Sequence, residues 1–288
     1  MESFIIIGLG KVGTSIASLL KKAGYTIAAV VDPSDDALNA NLVYTGGKPF
    51  HHPSDLDIDA DCYLITTTDD QIKAACGALA DHVRPDAVVL HMSGAGGLDL
   101  LDAVRRTGAK TGSMHPLQTF SDVQSAVDSL PGTVYGVTVD PDLRDWSEKL
   151  VRAIGGIPFF IDEKNRALYH AAACMVSNYF VTLMYMAEQT YGLLGLDEQK
   201  ARHAYWPLLR GTLQNIEKKG SISSLTGPIA RGDLGTVKKH LRTITANIPE
   251  LLPAYRELGK ITADIALKKN TISSQQSSNI KLLLSKGA

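Results

Sequence analysis

The sequence predicts an α/β protein in two parts: a doubly wound parallel sheet, followed by an all-helical (all-α) domain. Three observations carry that expectation. Short apolar runs alternate with helix-like stretches through the first half, a glycine-rich turn follows the first run, and strand signals stop near residue 163. The chain of 288 residues is long enough for two ordinary domains, and the expected division is 1–162 and 163–288.

The first unit is read from "SFIIIGLGKVGTSIASLLKKAGY". An apolar run leads into Gly8, Gly10 and Gly13, after which Val12, Ile16, Leu19 and Leu20 recur at helical spacing. A second run, "TIAAVVD", ends in Asp32, 19 residues after Gly13. Strand, glycine turn, helix, strand and acid in that order form the Rossmann dinucleotide-binding pattern. Gly8 allows the tight turn, Gly10 lets a pyrophosphate approach the backbone, and Gly13 lets the helix pack on the strand. The helix start then offers unpaired N–H groups and a positive dipole end to the phosphates. Gly8, Leu9, Gly10, Lys11, Val12, Gly13 and Asp32 are the expected cofactor residues. The alternative is a βαβ unit that binds no cofactor. A carboxylate at Asp32 suits ribose hydroxyls and repels a 2′-phosphate, and "PSDDAL" adds two acids and no arginine. NAD is therefore favoured, with NADP possible and Lys48 the nearest basic residue downstream.

Further strands are expected at "CYLITTT" (62–68), "AVVLHMS" (87–93), "AKTGSM" (109–114), "TVYGVTV" (133–139) and "IPFFI" (157–161). Ligands of such sheets bind at the carboxyl ends of strands. Three small polar clusters fall at such ends: Thr66, Thr67 and Thr68, assigned to the cofactor; Ser93–Gly94; and His115 within "GSMHPLQTF". Asp69 is read chiefly as a helix cap.

From residue 163, "EKNRALYHAAACMVSNYFVTLMYMAEQTYGLLG" reads as one long helix ended by Gly192 or Gly195. His170, Cys174, Asn178 and Val181 would share one of its faces. They would either bond neighbouring backbone or a second subunit, or hold a substrate oxygen. In "TGPIARGD" (226–233), Pro228 and Gly232 shape a turn and Asp233 caps the next helix, which leaves Arg231 to bind an anion. Further helices begin near Pro249 and Ser274. His51 and His52 read as solvated, and His203 and Arg210 as surface residues.

Composition narrows the partners. Lys and Arg number 29 against 30 Asp and Glu, which gives no electrostatic reason for nucleic acid or an anionic membrane. Cys62, Cys76 and Cys174 form no metal or disulfide pattern, so no metal is expected. Residues 167–187 carry no Asp, Glu, Lys or Arg, yet their His, Ser, Asn and Tyr residues favour a buried helix over a membrane span. Without a signal-like start, a cytoplasmic location is expected.

"GLGKVG", "HMSG", "GSMHPLQTF", "YHAAACMVSNY" and "LTGPIARGD" stand in an order and spacing that resembles a family of Rossmann-like proteins with a C-terminal domain of unknown function 2520. Its architecture is similar to the β-hydroxyacid dehydrogenase and ketopantoate reductase group. That resemblance implies NAD(P) dependence, a second domain like the C-terminal domain of 6-phosphogluconate dehydrogenase, and a homodimer formed through it. The wider group places a lysine four residues before an asparagine on this helix. Here Asn178 fits the asparagine, but Cys174 stands at the lysine position and cannot replace an ammonium donor. Prephenate dehydrogenases carry a similar "HP" after a strand, where the histidine handles a proton, and His115 matches it.

The function expected from these readings is hydride transfer between NAD(P) and a small 2-oxo or hydroxy acid, ketopantoate being a narrower version. His115 would be the base, Asn178 would orient the substrate oxygen, and Ser93 would relay or position. His170, Thr226 and Arg231 would bind the substrate. The alternative is a catalytically inactive dinucleotide-binding sensor or scaffold.

Overall fold

Phe4, Ile5, Ile6 and Ile7 are buried in alternation on opposite faces, and this places β1 (Ser3–Ile7) at the centre of a sheet covered on both sides. The computed structural model describes residues 2–285. The chain divides into two compact units, Met1–Asn178 and Tyr179–Ala288.

Among the described residues, the first unit holds eight strands. After β1 come β2 (Thr26–Val31), β3 (Lys48–Phe50), β4 (Cys62–Ile65), β5 (Val88–His91), β6 (Lys110–Pro116), β7 (Val134–Val139) and β8 (Ile157–Phe160). Their order in the sheet is 3-2-1-4-5-6-7-8. The first six of these, 3-2-1-4-5-6, have the doubly wound dinucleotide-fold order. The helices α1 (Lys11–Lys22), α2 (Asp35–Thr45), α3 (Ile72–Leu79), α4 (Asp102–Arg105), α5 (Val123–Ser129), α6 (Arg144–Ala153) and α7 (Arg166–Val176) belong to this unit. One core cluster joins Phe4, Ile6, Leu64 and Leu90 to Ile16 and Leu20 of α1 and Leu150 of α6. The opposite cluster joins Ile5, Ile7, Tyr63 and Val89 to Ile72 and Leu79 of α3. Cys62 and Cys76 lie buried in these two layers as free thiols, and burial pushes both thiols' pKa values up.

Three expectations are corrected. The sheet is not wholly parallel: β6 and β7 pair antiparallel, and β8 follows β7. The linker after β6 carries only the seven-residue α5, which packs on α1, so the chain re-enters the sheet at the end it left. The short strand β3 was not expected. The long helix from residue 163 is two helices, because Ser177 (φ −114°, ψ −76°) leaves helical geometry between α7 and α8 (Asn178–Gly192). The following helix, α9 (Glu198–Ser224), resumes for a turn beyond a break at Gly220.

The second unit is built from α8, α9, α10 (Leu234–Asn247), α11 (Leu252–Lys268) and α12 (Ser274–Ser285). Its core gathers Val237 and Leu241 of α10, Ala263 and Ala266 of α11, and Ile280 and Leu284 of α12. Among the described residues no helix is long and apolar enough to cross a membrane.

Two buried side chains shape the exit of β5. His91 is fully buried: its Nδ1 accepts the Ser93 N–H at 3.1 Å and its Nε2 donates to Gly97 O at 3.2 Å. Arg166, 1% exposed, donates from Nε to Gly96 O (2.6 Å), from Nη1 to Thr138 Oγ1 (2.9 Å), and from Nη2 to Ser93 O and Gly94 O. Burial, and then the nearby Arg166 charge, push the His91 pKa down to about 4.

That depression has a consequence for stability. Between about pH 6.5 and pH 4 the unfolded chain binds a proton at His91 that the folded chain does not. Stability is therefore full above that window and falls as pH drops through it, by up to about 3 kcal/mol for this group. Thermal unfolding followed from pH 7 to 4.5 should show the fall, and His91→Asn should flatten the slope.

Candidate active site

The glycine loop is built as its sequence requires. Gly8 has φ +98°, and a Cβ there would stand 2.8 Å from Thr67 N. Gly10 caps α1, and a Cβ on it would meet nothing within 4 Å, so the backbone lies open at the helix start. A Cβ on Gly13 would collide with Gly8 O and Thr66 Oγ1, so α1 packs this closely only on glycine. Asp32 holds the loop from the next strand: its Oδ2 accepts the Leu9 N–H at 2.8 Å, and its Oδ1 accepts the Ser34 N–H at 3.0 Å.

A cleft of about 460 Å³ opens beside this loop, lined by Gly8, Gly10, Asp32, Thr67, Thr68 and Gln71, together with His51 and His52. Its donor set fits a dinucleotide: backbone N–H groups at a helix start for phosphate, and a carboxylate for ribose hydroxyls. Lys11 is exposed and Val12 half-buried on the first turn of α1. Two expected cofactor residues are otherwise engaged. The Leu9 side chain is 1% exposed in the core, and its N–H is held by Asp32. Thr66 is buried and donates its hydroxyl hydrogen to the loop, with Gly8 O at 2.6 Å and Ile7 O at 3.1 Å. Lys48 is spent on Asp57 at 2.7 Å. The two histidines read as solvated are exposed, but they form part of the cleft wall, where β3 ends.

A second cluster stands at the ends of β4, β5 and β6. Ser93 Oγ donates to Asp69 Oδ2 at 2.8 Å and accepts the Gly96 N–H at 2.8 Å. Asp69 is thus a partner of Ser93, and the short helical turn it begins has no side-chain cap. His115 Nδ1 lies 3.0 Å from the Tyr169 hydroxyl, and its ring meets His170 edge-on with centroids 5.9 Å apart. A Cβ on Gly94 would press on both histidines, 2.9 Å from His115 Nε2. Burial first, then the charges of His170 and Arg166, push the His115 pKa down to about 4, so the ring is neutral at pH 7. Among the described residues no group of His, Cys, Asp and Glu is placed to hold a metal ion.

His115 and His170 therefore come together against Gly94, the residue that follows Ser93. His170 and Cys174 share a face of α7, with Sγ 3.8 Å from Nδ1. Asn178 begins α8 beyond the break at Ser177, so His170 and Cys174 stand on one helix and Asn178 and Val181 on the next. Thr226 and Arg231 are exposed residues of the second unit, ahead of α10, where Asp233 accepts the Thr236 N–H at 2.9 Å as the helix cap.

Sequence reasoning missed Arg166, Tyr169 and the bond between Asp69 and Ser93. The rule that ligands gather at strand ends, applied to β3 and β4, points to His51, His52 and Asp69. No spacing pattern marks Arg166 or Tyr169, whose partners lie 70 and 54 residues away in the chain.

Comparison with known proteins agrees with this two-part construction. No curated protein matches the chain by sequence. Among solved structures, a protein of Thermotoga maritima is 26% identical, with a TM-score of 0.75 over 93% of this chain and 99% of its own. A Bacteroides fragilis protein named as an NADP oxidoreductase is 18% identical, with a TM-score of 0.76 over 91% and 98%. A pyrroline-5-carboxylate reductase of Coxiella burnetii is 18% identical, with a TM-score of 0.58 over 99% of each chain. Residues 2–116 match the family model of the Rossmann-like domain and residues 133–262 that of the domain of unknown function DUF2520, and the chain is thereby a Rossmann-like protein carrying a DUF2520 domain.

Proposed function

We propose that this protein is an NAD(P)-dependent oxidoreductase that moves a hydride to or from a small acid at its oxo or hydroxyl carbon. The observation that carries the reading is the His115 imidazole, held against Tyr169 and His170 at the strand ends of a unit that also holds the open glycine loop. Fold likeness to oxidoreductases supports the redox class, while the substrate rests on site chemistry. When bound, the nicotinamide supplies the hydride chemistry itself. The Gly8–Gly13 loop would hold its phosphates and Asp32 its ribose.

The protein's own task is the proton. His115 takes the hydroxyl proton in oxidation and returns one in reduction. Asp69 accepts the Ser93 hydroxyl and fixes its orientation at the β5 exit. Asn178, Thr226 and Arg231 are assigned to the substrate on their chemistry: a carboxamide, a hydroxyl and an exposed guanidinium suited to a carboxylate. One observation favours a second reading, a dinucleotide-binding sensor without turnover: Cys174 stands where the similar dehydrogenases carry a lysine. We further propose that the second unit pairs with another copy. The helix α8 buries no residue and α9 only Ala201 and Tyr205, which leaves Tyr179, Val181, Trp206 and Leu208 exposed.

Five measurements test these assignments. A panel of 2-oxo acids and cyclic imino acids with NADH or NADPH, followed at 340 nm, should reveal turnover; tight cofactor binding without oxidation selects the sensor. His115→Asn should lower turnover about 100-fold with cofactor affinity unchanged. In the oxidative direction the wild type should stay active from pH 8 to about pH 5 and lose activity as pH falls through about 4, where the imidazole charges. Asp32→Asn should weaken NADH binding about tenfold and narrow its preference over NADPH; an unchanged preference removes Asp32 from cofactor selection. Light scattering should give the mass of two chains, and a monomer would end the pairing proposal.

A further inference from the structure

Tyr169 is the side chain in direct hydrogen-bonding contact with the His115 ring. Its hydroxyl lies 3.0 Å from Nδ1, and the two rings meet edge-on with centroids 5.6 Å apart. The phenol has a built seat. Gly136 is the residue paired with His115 across β6 and β7, and a Cβ there would stand 2.7 Å from the Tyr169 Cζ and 2.8 Å from its hydroxyl oxygen. Phe159 of β8 flanks the same ring, with centroids 6.4 Å apart. Only a glycine opposite His115 lets the phenol reach this position.

The two ring nitrogens of His115 are thereby made unequal. Nδ1 faces the Tyr169 hydroxyl. Nε2 lies against Gly94, where a Cβ would stand 2.9 Å from it, with the edge of His170 packed on the same glycine. The charged and titratable groups around the ring are His170, Arg166 and Asp69, and the hydroxyl of Tyr169 is the partner that bonds Nδ1. In a neutral imidazole one nitrogen carries hydrogen and the other a lone pair, and the hydrogen bond made by one decides the state of the other.

We infer that Tyr169 is the positioning residue of His115: its hydroxyl occupies Nδ1, holds the imidazole in one tautomer, and reserves Nε2 for proton exchange. The use of Nε2 in turnover rests on the proposed function, whereas the single tautomer does not. A phenylalanine at 169 keeps the ring and its seat on Gly136 but removes the hydroxyl. Nothing then bonds Nδ1, and the two tautomers are free to interchange.

The test is long-range 15N NMR of the histidine rings at pH 7, with His115 assigned by the signals lost in His115→Asn. In the wild type the two His115 nitrogens should be well separated, one protonated and one bare. In Tyr169→Phe both should move toward a common exchange-averaged position, while the backbone amide spectrum stays that of the folded protein. Averaged nitrogens already in the wild type, or nitrogens that do not move in Tyr169→Phe, overturn the inference; the wild-type spectrum alone suffices should the variant fail to fold. With a substrate in hand, Tyr169→Phe should lower kcat about tenfold at unchanged KM. An unchanged kcat removes the positioning role. If the nitrogens shift as expected but no substrate is turned over by the wild type, the proposed function fails and the tautomer assignment stands.

Discussion

The buried guanidinium of Arg166 is the interaction on which the rest of the site depends. It is 1% exposed, and its donors meet four neutral oxygens: three carbonyls of the loop after β5 and the hydroxyl of Thr138 on β7. A guanidinium presents its N–H groups as a rigid planar fork, which suits converging carbonyl dipoles. Each such charge-assisted bond contributes roughly 1.5–3 kcal/mol, and together they offset the cost of taking the charge out of water. The carbonyls of Ser93, Gly94 and Gly96 are therefore drawn to one point, and the β5 exit bends where the charge sits. The same charge helps keep His91 and His115 neutral, so structural support and proton chemistry share one cause.

Two glycines complete the arrangement by what they lack. Gly94 leaves room for His115 and His170 to meet, and Gly136 leaves room for the phenol of Tyr169. The second position follows from the antiparallel pairing of β6 with β7, which sets Gly136 opposite His115. Had β7 run parallel to β6, as the alternation of strands and helices suggested, this register would not exist. A reacting group positioned on strands and backed by packed neighbours loses little freedom when a ligand arrives.

The two units contrast in how they satisfy their apolar surface. The first is a closed three-layer structure with a core on each sheet face. The second has a core among α10, α11 and α12, while α8 and α9 carry large apolar side chains that the chain itself leaves uncovered. Solved proteins of 18–26% identity share this fold, and one fold hosts many chemistries, so the side chains at the strand ends decide what this protein does.

Much of this was legible in the sequence because it is written in local pattern. The glycines at 8, 10 and 13, the acid at 32, the alternation of strands and helices and the cap at Asp233 each depend on neighbours a few residues apart. His115 and Ser93 were visible because they follow apolar runs, where a parallel sheet exposes its ends. Local pattern also misled. The charge-free stretch from 167 to 187 promised one helix, and nothing in its periodicity marks the break at Ser177.

The sequence by itself determined the order of elements, the nucleotide-type turn and the candidate base. Only the tertiary structure decided the direction of β7, the burial of Arg166, the bond between Asp69 and Ser93 and the seat of Tyr169. The reason is physical: these contacts join residues 19 to 73 positions apart, and their energy exists only after the sheet has brought distant strands to one edge.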